Sequence, residues 1–208
     1  MLFPKCKTAG LLIATRDAKE MPDHGQSPEI PSTRRPTLAD QHWRALLRHR
    51  APDDLRKDML DAIDKNDGWR FSMLLQVKND WPLDDQVMRG VIERDRFDMF
   101  RAVTARGPES HDGGTSSLTS LATYAAESGK LDFLKVFVEQ YKADIHYYSD
   151  EMLRKASEQG HEGVVEYLLS KGAEADAWGG ETLKCAAERG YLGVVKKLIE
   201  AGAPIVSG

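Results

Sequence analysis

The sequence has few cysteines and no long apolar run. Its two cysteines, Cys6 and Cys185, lie far apart, so no disulfide framework is indicated and their use suits a reducing compartment. The longest apolar stretch near the start, Leu11 to Ala14, is far shorter than the roughly 18 residues of a membrane span and too short for a secretory signal. We therefore expect a cytoplasmic protein without a membrane segment, although the sequence leaves a secreted effector open.

The sequence also lacks the spacings that catalytic, metal and phosphate sites require. None of its six histidines pairs with another His, a Cys or a carboxylate at a recognisable ligand spacing. The Gly113–Gly114 and Gly179–Gly180 pairs lack the strand, the third glycine and the lysine of a phosphate-binding loop. There is no nucleophile elbow and no paired-carboxylate motif. We therefore expect no enzyme, and we nominate no catalytic residue, metal or cofactor.

An excess of positive charge is absent as well. The formal net charge is −4, which does not suit a strongly basic nucleic-acid binder. One basic stretch offers an alternative function, because a helix carrying it could contact phosphates. It consists of Arg44, Arg48, His49 and Arg50. The two acidic residues that follow, Asp53 and Asp54, favour a solvated helix face over nucleic-acid binding.

What the sequence does contain is a foldable composition and a change of character along the chain. With 41% apolar and 30% charged residues, 208 residues suit one folded domain with an extension. Residues 1–36 hold five prolines and few large apolar residues, which predicts a flexible N-terminal extension, with a partner-binding arm as the alternative. Residues 37–107 predict an N-terminal helical region, and residues 108–208 form the third segment.

Short apolar stripes at helical spacing predict five helices in residues 37–107. The first begins near Thr37 and ends at Pro52, and the second begins at Asp53 or Asp54. The third follows the break at 66–68. The fourth starts near Asp84, and the fifth stops at 107–108. Residues 108–116 are turn formers and predict a loop.

Three later segments repeat one pattern of small and apolar residues, with offsets of about 31 and then 30 residues. Each has an alanine, a glycine four residues later and paired apolar residues after that. The alanine lets two antiparallel helices approach, and the glycine ends the first helix in a left-handed conformation. The alanines are Ala125, Ala156 and Ala186, and the glycines are Gly129, Gly160 and Gly190.

These segments resemble the ankyrin repeat family. The matching strings are Gly-His-Glu-Gly-Val-Val-Glu-Tyr-Leu-Leu-Ser-Lys-Gly-Ala at 160–173 and Ala-Ala-Glu-Arg-Gly-Tyr-Leu-Gly-Val-Val-Lys-Lys-Leu-Ile-Glu-Ala-Gly-Ala at 186–203. The resemblance covers residues 117–203 and extends as degenerate repeats over 55–107, where Asp95 stands in place of the glycine. It implies an all-α, ankyrin-type helical repeat solenoid in which residues 37–107 supply an N-terminal helical cap.

The sequence departs from the family where the first helices begin. The usual Thr-Pro-Leu-His opening is absent, since residues 151–154 are Glu-Met-Leu-Arg and residues 181–184 are Glu-Thr-Leu-Lys. In the family, the missing threonine and histidine link neighbouring turns by hydrogen bonds. We therefore expect less regular turns here, while the helix pairs are retained.

The resemblance also implies where a partner would bind, because ankyrin arrays bind with their hairpin tips and the exposed side of their first helices. By position, the tip residues are Tyr147, Tyr148, Asp150 and Trp178, and the first-helix residues are Glu127, Glu158, Gln159, Glu188 and Arg189. The tip rings are either anchors for a partner or covers for the neighbouring repeat. The column of Glu127, Glu158 and Glu188 either indicates a partner with a basic surface or serves solubility.

The function that follows is protein–protein interaction. We expect the chain to bind a partner protein through the concave face and hairpin tips. It would act as an adaptor or as an inhibitor of the immunity, effector or anti-defence type. A homo-oligomer is possible, and nucleic-acid binding through residues 44–50 is the alternative from another class.

Overall fold

The computed structural model describes residues 45, 47, 49–77, 85–104 and 114–205, and this part of the chain contains helices and no strand. The helices are α1 (Pro52–Asp64), α2 (Gly68–Val77), α3 (Asp85–Glu93), α4 (Phe97–Thr104), α5 (Gly114–Glu127), α6 (Leu131–Glu139), α7 (Glu151–Glu158), α8 (Glu162–Ser170), α9 (Glu181–Glu188) and α10 (Leu192–Glu200). The all-α repeat fold expected from the sequence is confirmed.

The helices form five pairs that stack in chain order. Within each pair the first helix packs against the second, from α1 with α2 to α9 with α10. The first helices of successive pairs also contact each other, in the order α1, α3, α5, α7, α9. The stack buries a continuous core, so each pair covers an apolar face that it could not cover alone.

All five pairs share one turn between their two helices. The turn residue has a positive φ of 56° at Asn66, 58° at Asp95, 71° at Gly129, 78° at Gly160 and 78° at Gly190. The next backbone N–H donates to the carbonyl five residues back, as in a Schellman motif. These bonds join Asp67 to Ala62 (2.8 Å), Arg96 to Val91 (3.0 Å), Lys130 to Ala125 (2.8 Å), His161 to Ala156 (2.9 Å) and Tyr191 to Ala186 (2.9 Å). The two N-terminal pairs therefore have the same turn as the three repeats.

A cluster of phenylalanines joins the second pair to the third. The ring of Phe100 is fully buried and lies 4.9 Å from the Phe133 ring and 5.2 Å from the Phe137 ring, centroid to centroid. Phe97 meets Phe133 edge to face at 5.1 Å. Buried aromatic pairs of this geometry add to the stabilisation from burial alone.

Side chains that follow the last four turns contact the turn of the preceding pair, and we call this series the reach-back ladder. Arg96 Nε donates to the Ile63 carbonyl at 3.2 Å, and Lys130 Nζ lies 3.4 Å from Asp95 Oδ2. His161 Nε2 donates to the Glu127 carbonyl at 2.9 Å, which is a structural role. The imidazole also lies over Gly129, and the Tyr191 ring lies over Gly160 in the same way.

Two predicted boundaries differ from the structure. The helix α5 begins at Gly114, inside the predicted 108–116 loop, because small polar residues are well tolerated in a first turn whose N–H groups have no helical partner. Pro52 begins α1, one or two residues before the predicted start at Asp53 or Asp54, since its fixed φ suits the first helical position. The predictions for residues 1–36, for the helix start at Thr37 and for the stop at 107–108 lie outside the described residues.

Candidate functional site

The connection between α6 and α7, residues 144–150, which we call the first tip, has an unusual backbone. Tyr148, Ser149 and Asp150 have consecutive positive φ values of 47°, 54° and 61°. Each left-handed non-glycine residue costs about 1–2 kcal/mol, so the tip stores strain that its surroundings must offset. Asp144 Oδ1 accepts the backbone N–H of His146 at 3.0 Å, and the Glu151 N–H donates to the Tyr147 carbonyl at 3.1 Å. These bonds stabilise the turn of the tip.

The strained backbone presents one tyrosine to solvent. Tyr148 is 69% exposed, and its ring meets the half-buried Tyr147 ring edge to face at 4.5 Å. Asp150 is buried instead, and its Oδ1 lies 3.0 Å from Nδ1 of His146. Of the three first-tip residues named from the sequence, Tyr148 therefore offers most of the accessible surface, while Asp150 faces the protein.

The second tip, residues 174–180, has a different backbone and a different aromatic residue. Here glycines occupy the positions that Ser149 and Asp150 hold in the first tip, and Gly179 and Gly180 have positive φ values of 57° and 84°. The two tips are thus not regular copies. Trp178 occupies the place of Tyr148, 30 residues later, and is 43% exposed.

Trp178 reaches back to the first tip. Its Nε1 donates to the Ser149 carbonyl at 2.6 Å, and the Arg154 guanidinium lies 5.1 Å from the indole centroid, within cation–π range. The second tip therefore braces the strained first tip. Sequence reasoning left open whether the tip rings are free or folded back, and the two rings differ in this respect.

The glutamate column predicted from the sequence extends over all five pairs. An acidic residue lies two positions before each of the five turn residues. We call this series the acidic column, and its members are Asp64, Glu93, Glu127, Glu158 and Glu188. Sequence reasoning missed the first two, although the spacing from Asn66 and Asp95 could have identified them.

Most of the acidic column pairs with groups of the chain itself. Asp64 pairs with Arg94, the Tyr124 hydroxyl donates to Glu93, and Lys155 Nζ lies 3.2 Å from Glu127. Glu158 pairs with Arg154. Glu188, in the last pair, makes no ion pair with any described residue.

The remaining first-helix residues also differ in availability. Arg189 donates to the backbone carbonyl of Glu158, so its guanidinium links α9 to α7, whereas the side chain of Gln159 is exposed. In the basic stretch, Arg50 pairs with Asp58 of α1 and His49 is exposed. Arg44 and Arg48 lie outside the described residues.

Two further features bear on other functions. Within the described ranges, no group of three or more His, Cys, Asp or Glu side chains is placed to hold a metal ion. A search of the same residues finds no helix with the length and apolar character needed to cross a membrane.

Comparison with known families agrees with the helix pairs and their turns. The family model of ankyrin repeats, in three copies, matches residues 122–207. No curated protein matches the chain. The matched range begins within α5, at Ala122, and contains all of the helices from α6 to α10, with the three glycine turns. Residues 122–207 are three copies of the ankyrin repeat.

Proposed function

We propose that this chain binds a partner protein through the two tips and the adjoining exposed side of its first helices, with Tyr148 as the main anchor. Ankyrin repeats are protein–protein interaction modules, so the proposal concerns which surface binds and how. The observation that carries it is an exposed tyrosine held on a strained and braced backbone.

Tyr148 has the properties of an interface anchor. Tyrosine combines a large apolar ring with a hydroxyl, and it is enriched among the residues that carry most binding energy. Its ring is exposed while the Tyr147 ring supports it from one side. Because the tip is already ordered, binding would lose little conformational entropy at this position.

The neighbouring predicted residues support this anchor in different ways. Trp178 holds the Ser149 carbonyl and still exposes part of its ring, so it both braces Tyr148 and adds apolar surface. Asp150 is buried beside His146 and therefore offers little accessible surface to a partner. In the acidic column, Glu188 is the member free to meet a basic group of the partner, and the exposed amide of Gln159 can hydrogen-bond to it.

The chain would act on its partner either as an adaptor or as an inhibitor. In both roles the array forms a stiff scaffold, and the difference lies in which part of the partner it covers. An activity assay of the captured partner, with and without the chain, separates the two: loss of activity indicates an inhibitor.

The proposal is tested by the change Tyr148→Ala in affinity capture from the native host, read by mass spectrometry, followed by titration of each captured protein. We expect the partner's Kd to rise about 30-fold or more, as for a hot-spot residue. Leu192→Ala is the matched control, because Leu192 is also highly exposed but lies on the last pair. A partner captured with equal affinity by the Tyr148→Ala variant and the unaltered chain would overturn the proposed surface.

A further inference from the structure

Two guanidinium groups of the array lie over aromatic rings that come one repeat later in the chain. The Arg89 guanidinium lies 4.7 Å from the centroid of the Tyr124 ring, and the Arg154 guanidinium lies 5.1 Å from that of the Trp178 indole. Each of these arginines stands six positions before the turn residue of its pair. The array therefore covers aromatic rings with a cation from one recurring position of the first helix.

The third pair breaks this arrangement. Its residue six positions before the turn is Thr123, whose hydroxyl donates to the Thr119 carbonyl at 2.9 Å. Tyr148 occupies in the first tip the place of Trp178, and no lysine or arginine of the described residues lies over its ring. Its ring contact is with Tyr147, and 69% of the residue stays exposed. Tyr148 is therefore a ring of the kind that the array elsewhere pairs with a guanidinium, but without that guanidinium.

The charges of the two tips are acidic. Neither tip contains a lysine or an arginine, and His146 lies beside the buried carboxylate of Asp150. Asp144 of the first tip, and Glu174 and Asp176 of the second, are exposed and make no ion pair with a described residue. The acidic column differs, because most of its members pair with groups of the chain itself. The unneutralised carboxylates thus lie on the tips that carry Tyr148.

The two tips are in direct contact, so their charges act on the same ligand. Trp178 Nε1 donates at 2.6 Å to the carbonyl of Ser149, the residue that follows Tyr148. Exposed charges act over about 8–10 Å at moderate salt, which is enough to reach across adjoining tips. A cation is attracted both by the face of an aromatic ring and by carboxylates, whereas a phosphate or an acidic segment is repelled by the carboxylates. The surface around Tyr148 therefore complements a basic ligand.

We propose that the tips bind a basic segment of the partner protein, with an arginine of that segment placed over the Tyr148 ring. This inference rests on the proposed function and adds the chemistry of the partner to it. Arginine fits better than lysine, because a planar guanidinium also stacks on an aromatic face, and the array itself uses arginine over Tyr124 and Trp178. The carboxylates of the tips attract the other basic side chains of the segment.

Fluorescence anisotropy of a labelled peptide of alternating glycine and arginine, titrated with the full chain, tests this inference. Peptides of the same length with lysine, or with citrulline as a neutral isostere of arginine, are the matched probes. We expect the arginine peptide to bind with the lowest Kd and the lysine peptide to bind about threefold more weakly. The citrulline peptide should not bind measurably. Added salt should weaken the binding of both charged peptides, since exposed charges are screened.

Three variants locate the arginine peptide on the tips. Tyr148→Ala should raise its Kd about fivefold, and Tyr148→Phe, which keeps the ring, should stay within about twofold of the unaltered chain. Asp176→Asn should raise the Kd about threefold. Asp132→Asn is the matched charge control and should leave the Kd unchanged. Asp132 is also exposed, but it lies in the first turn of α6, just after the Gly129 turn and so at the opposite end of the helix pair from the tips.

The inference is wrong if the arginine peptide does not bind, if the citrulline peptide binds equally well, or if Tyr148→Ala binds the arginine peptide as the unaltered chain does. Equal effects of Asp132→Asn and Asp176→Asn would also overturn it, because the net charge of the chain would then attract the peptide. Failure of the proposed function is distinguishable from these results. A captured partner that binds Tyr148→Ala weakly, but keeps its Kd in Asp176→Asn and at high salt, would leave the proposed surface intact and exclude only the basic segment.

Discussion

The two N-terminal helix pairs and the three ankyrin repeats build the same turn from different residues. Asn66, between α1 and α2, and Asp95, between α3 and α4, hold the left-handed turn position of the two N-terminal pairs. Glycines hold the same position in the three pairs from α5 to α10. The side chains that follow differ too. The glycine turns at 129 and 160 lie under the rings of His161 and Tyr191, whereas Lys130 reaches the Asp95 carboxylate with its flexible end. In these two repeats the ring packed on the turn leaves no room for a side chain, so glycine is required. The positive φ alone would also allow asparagine or aspartate at the turn position.

The largest expected effect comes from breaking the contact between the two regions. Phe100→Ala removes a fully buried ring that packs on Phe133 and Phe137, and we expect a loss of about 4 kcal/mol in the free energy of unfolding. Urea unfolding of single-tryptophan variants that keep Trp69 or Trp178 follows each region separately. The two midpoints should move apart, because the coupling between the regions is lost.

The control for this prediction is Leu168→Ala. Leu168 is fully buried within the repeats, so its truncation should destabilise the chain without separating the regions. Coincident midpoints in Phe100→Ala would mean that the phenylalanine cluster does not couple the regions.

A smaller effect separates the two reasons for a turn glycine. Gly160→Asn keeps a residue that tolerates positive φ but places its Cβ against the Tyr191 ring, so we expect a loss of about 1–3 kcal/mol in unfolding free energy. Gly190→Asn has the same φ of 78° and open space, and should cost less than about 1 kcal/mol. Thermal and urea unfolding measure both. Equal losses at the two positions would show that φ, and not the ring, requires the glycine.

The smallest expected effect depends on pH and belongs to the repeats alone. Burial, helped by the Glu139 carboxylate, raises the pKa of Tyr167 to about 12 from 10.0. Between these values the unfolded chain loses the phenolic proton and the folded chain keeps it. The contribution of Tyr167 to the free energy of unfolding is therefore fully present below pH 10 and is lost as the pH rises towards 12. The corresponding N-terminal positions hold Met73 and Ala102, which do not titrate.

Tyr167→Phe tests this pH dependence. We expect the loss of unfolding free energy between pH 8 and pH 11 to be smaller in the variant by up to about 1 kcal/mol, since the ring is partly exposed and screened. Urea unfolding at the two pH values gives the difference. If the variant and the unaltered chain lose the same stability, other groups account for the alkaline sensitivity.

The fold could be predicted from the sequence because its determinants are local. The spacing of Ala, Gly and paired apolar residues defines a helix pair and its turn within about 15 residues, and three copies confirm one another. The position of Asp95 in a glycine place was visible by the same spacing, and its φ of 58° agrees. Helix starts were less certain, as Gly114 shows, because small polar residues suit both loops and first turns.

The site could be predicted only in outline because contacts between repeats depend on how the pairs stack. The sequence indicates that Tyr148 and Trp178 occupy equivalent tip positions. It does not indicate that Trp178 donates a hydrogen bond to the Ser149 carbonyl while Tyr148 remains exposed. The sequence also shows that the glutamates recur at equivalent positions, but it does not show that they pair with cations such as Lys155. These distances join residues about 30 positions apart, and no local pattern encodes them.

The reach-back ladder has a consequence for the synthesis of the chain on the ribosome. Arg96, Lys130, His161 and Tyr191 each contact a turn that lies earlier in the sequence and has therefore already been made. A pair leaving the ribosome thus meets a surface ready to receive it. Each newly made pair secures the one before it, so the array can become ordered from its N-terminal side while translation continues.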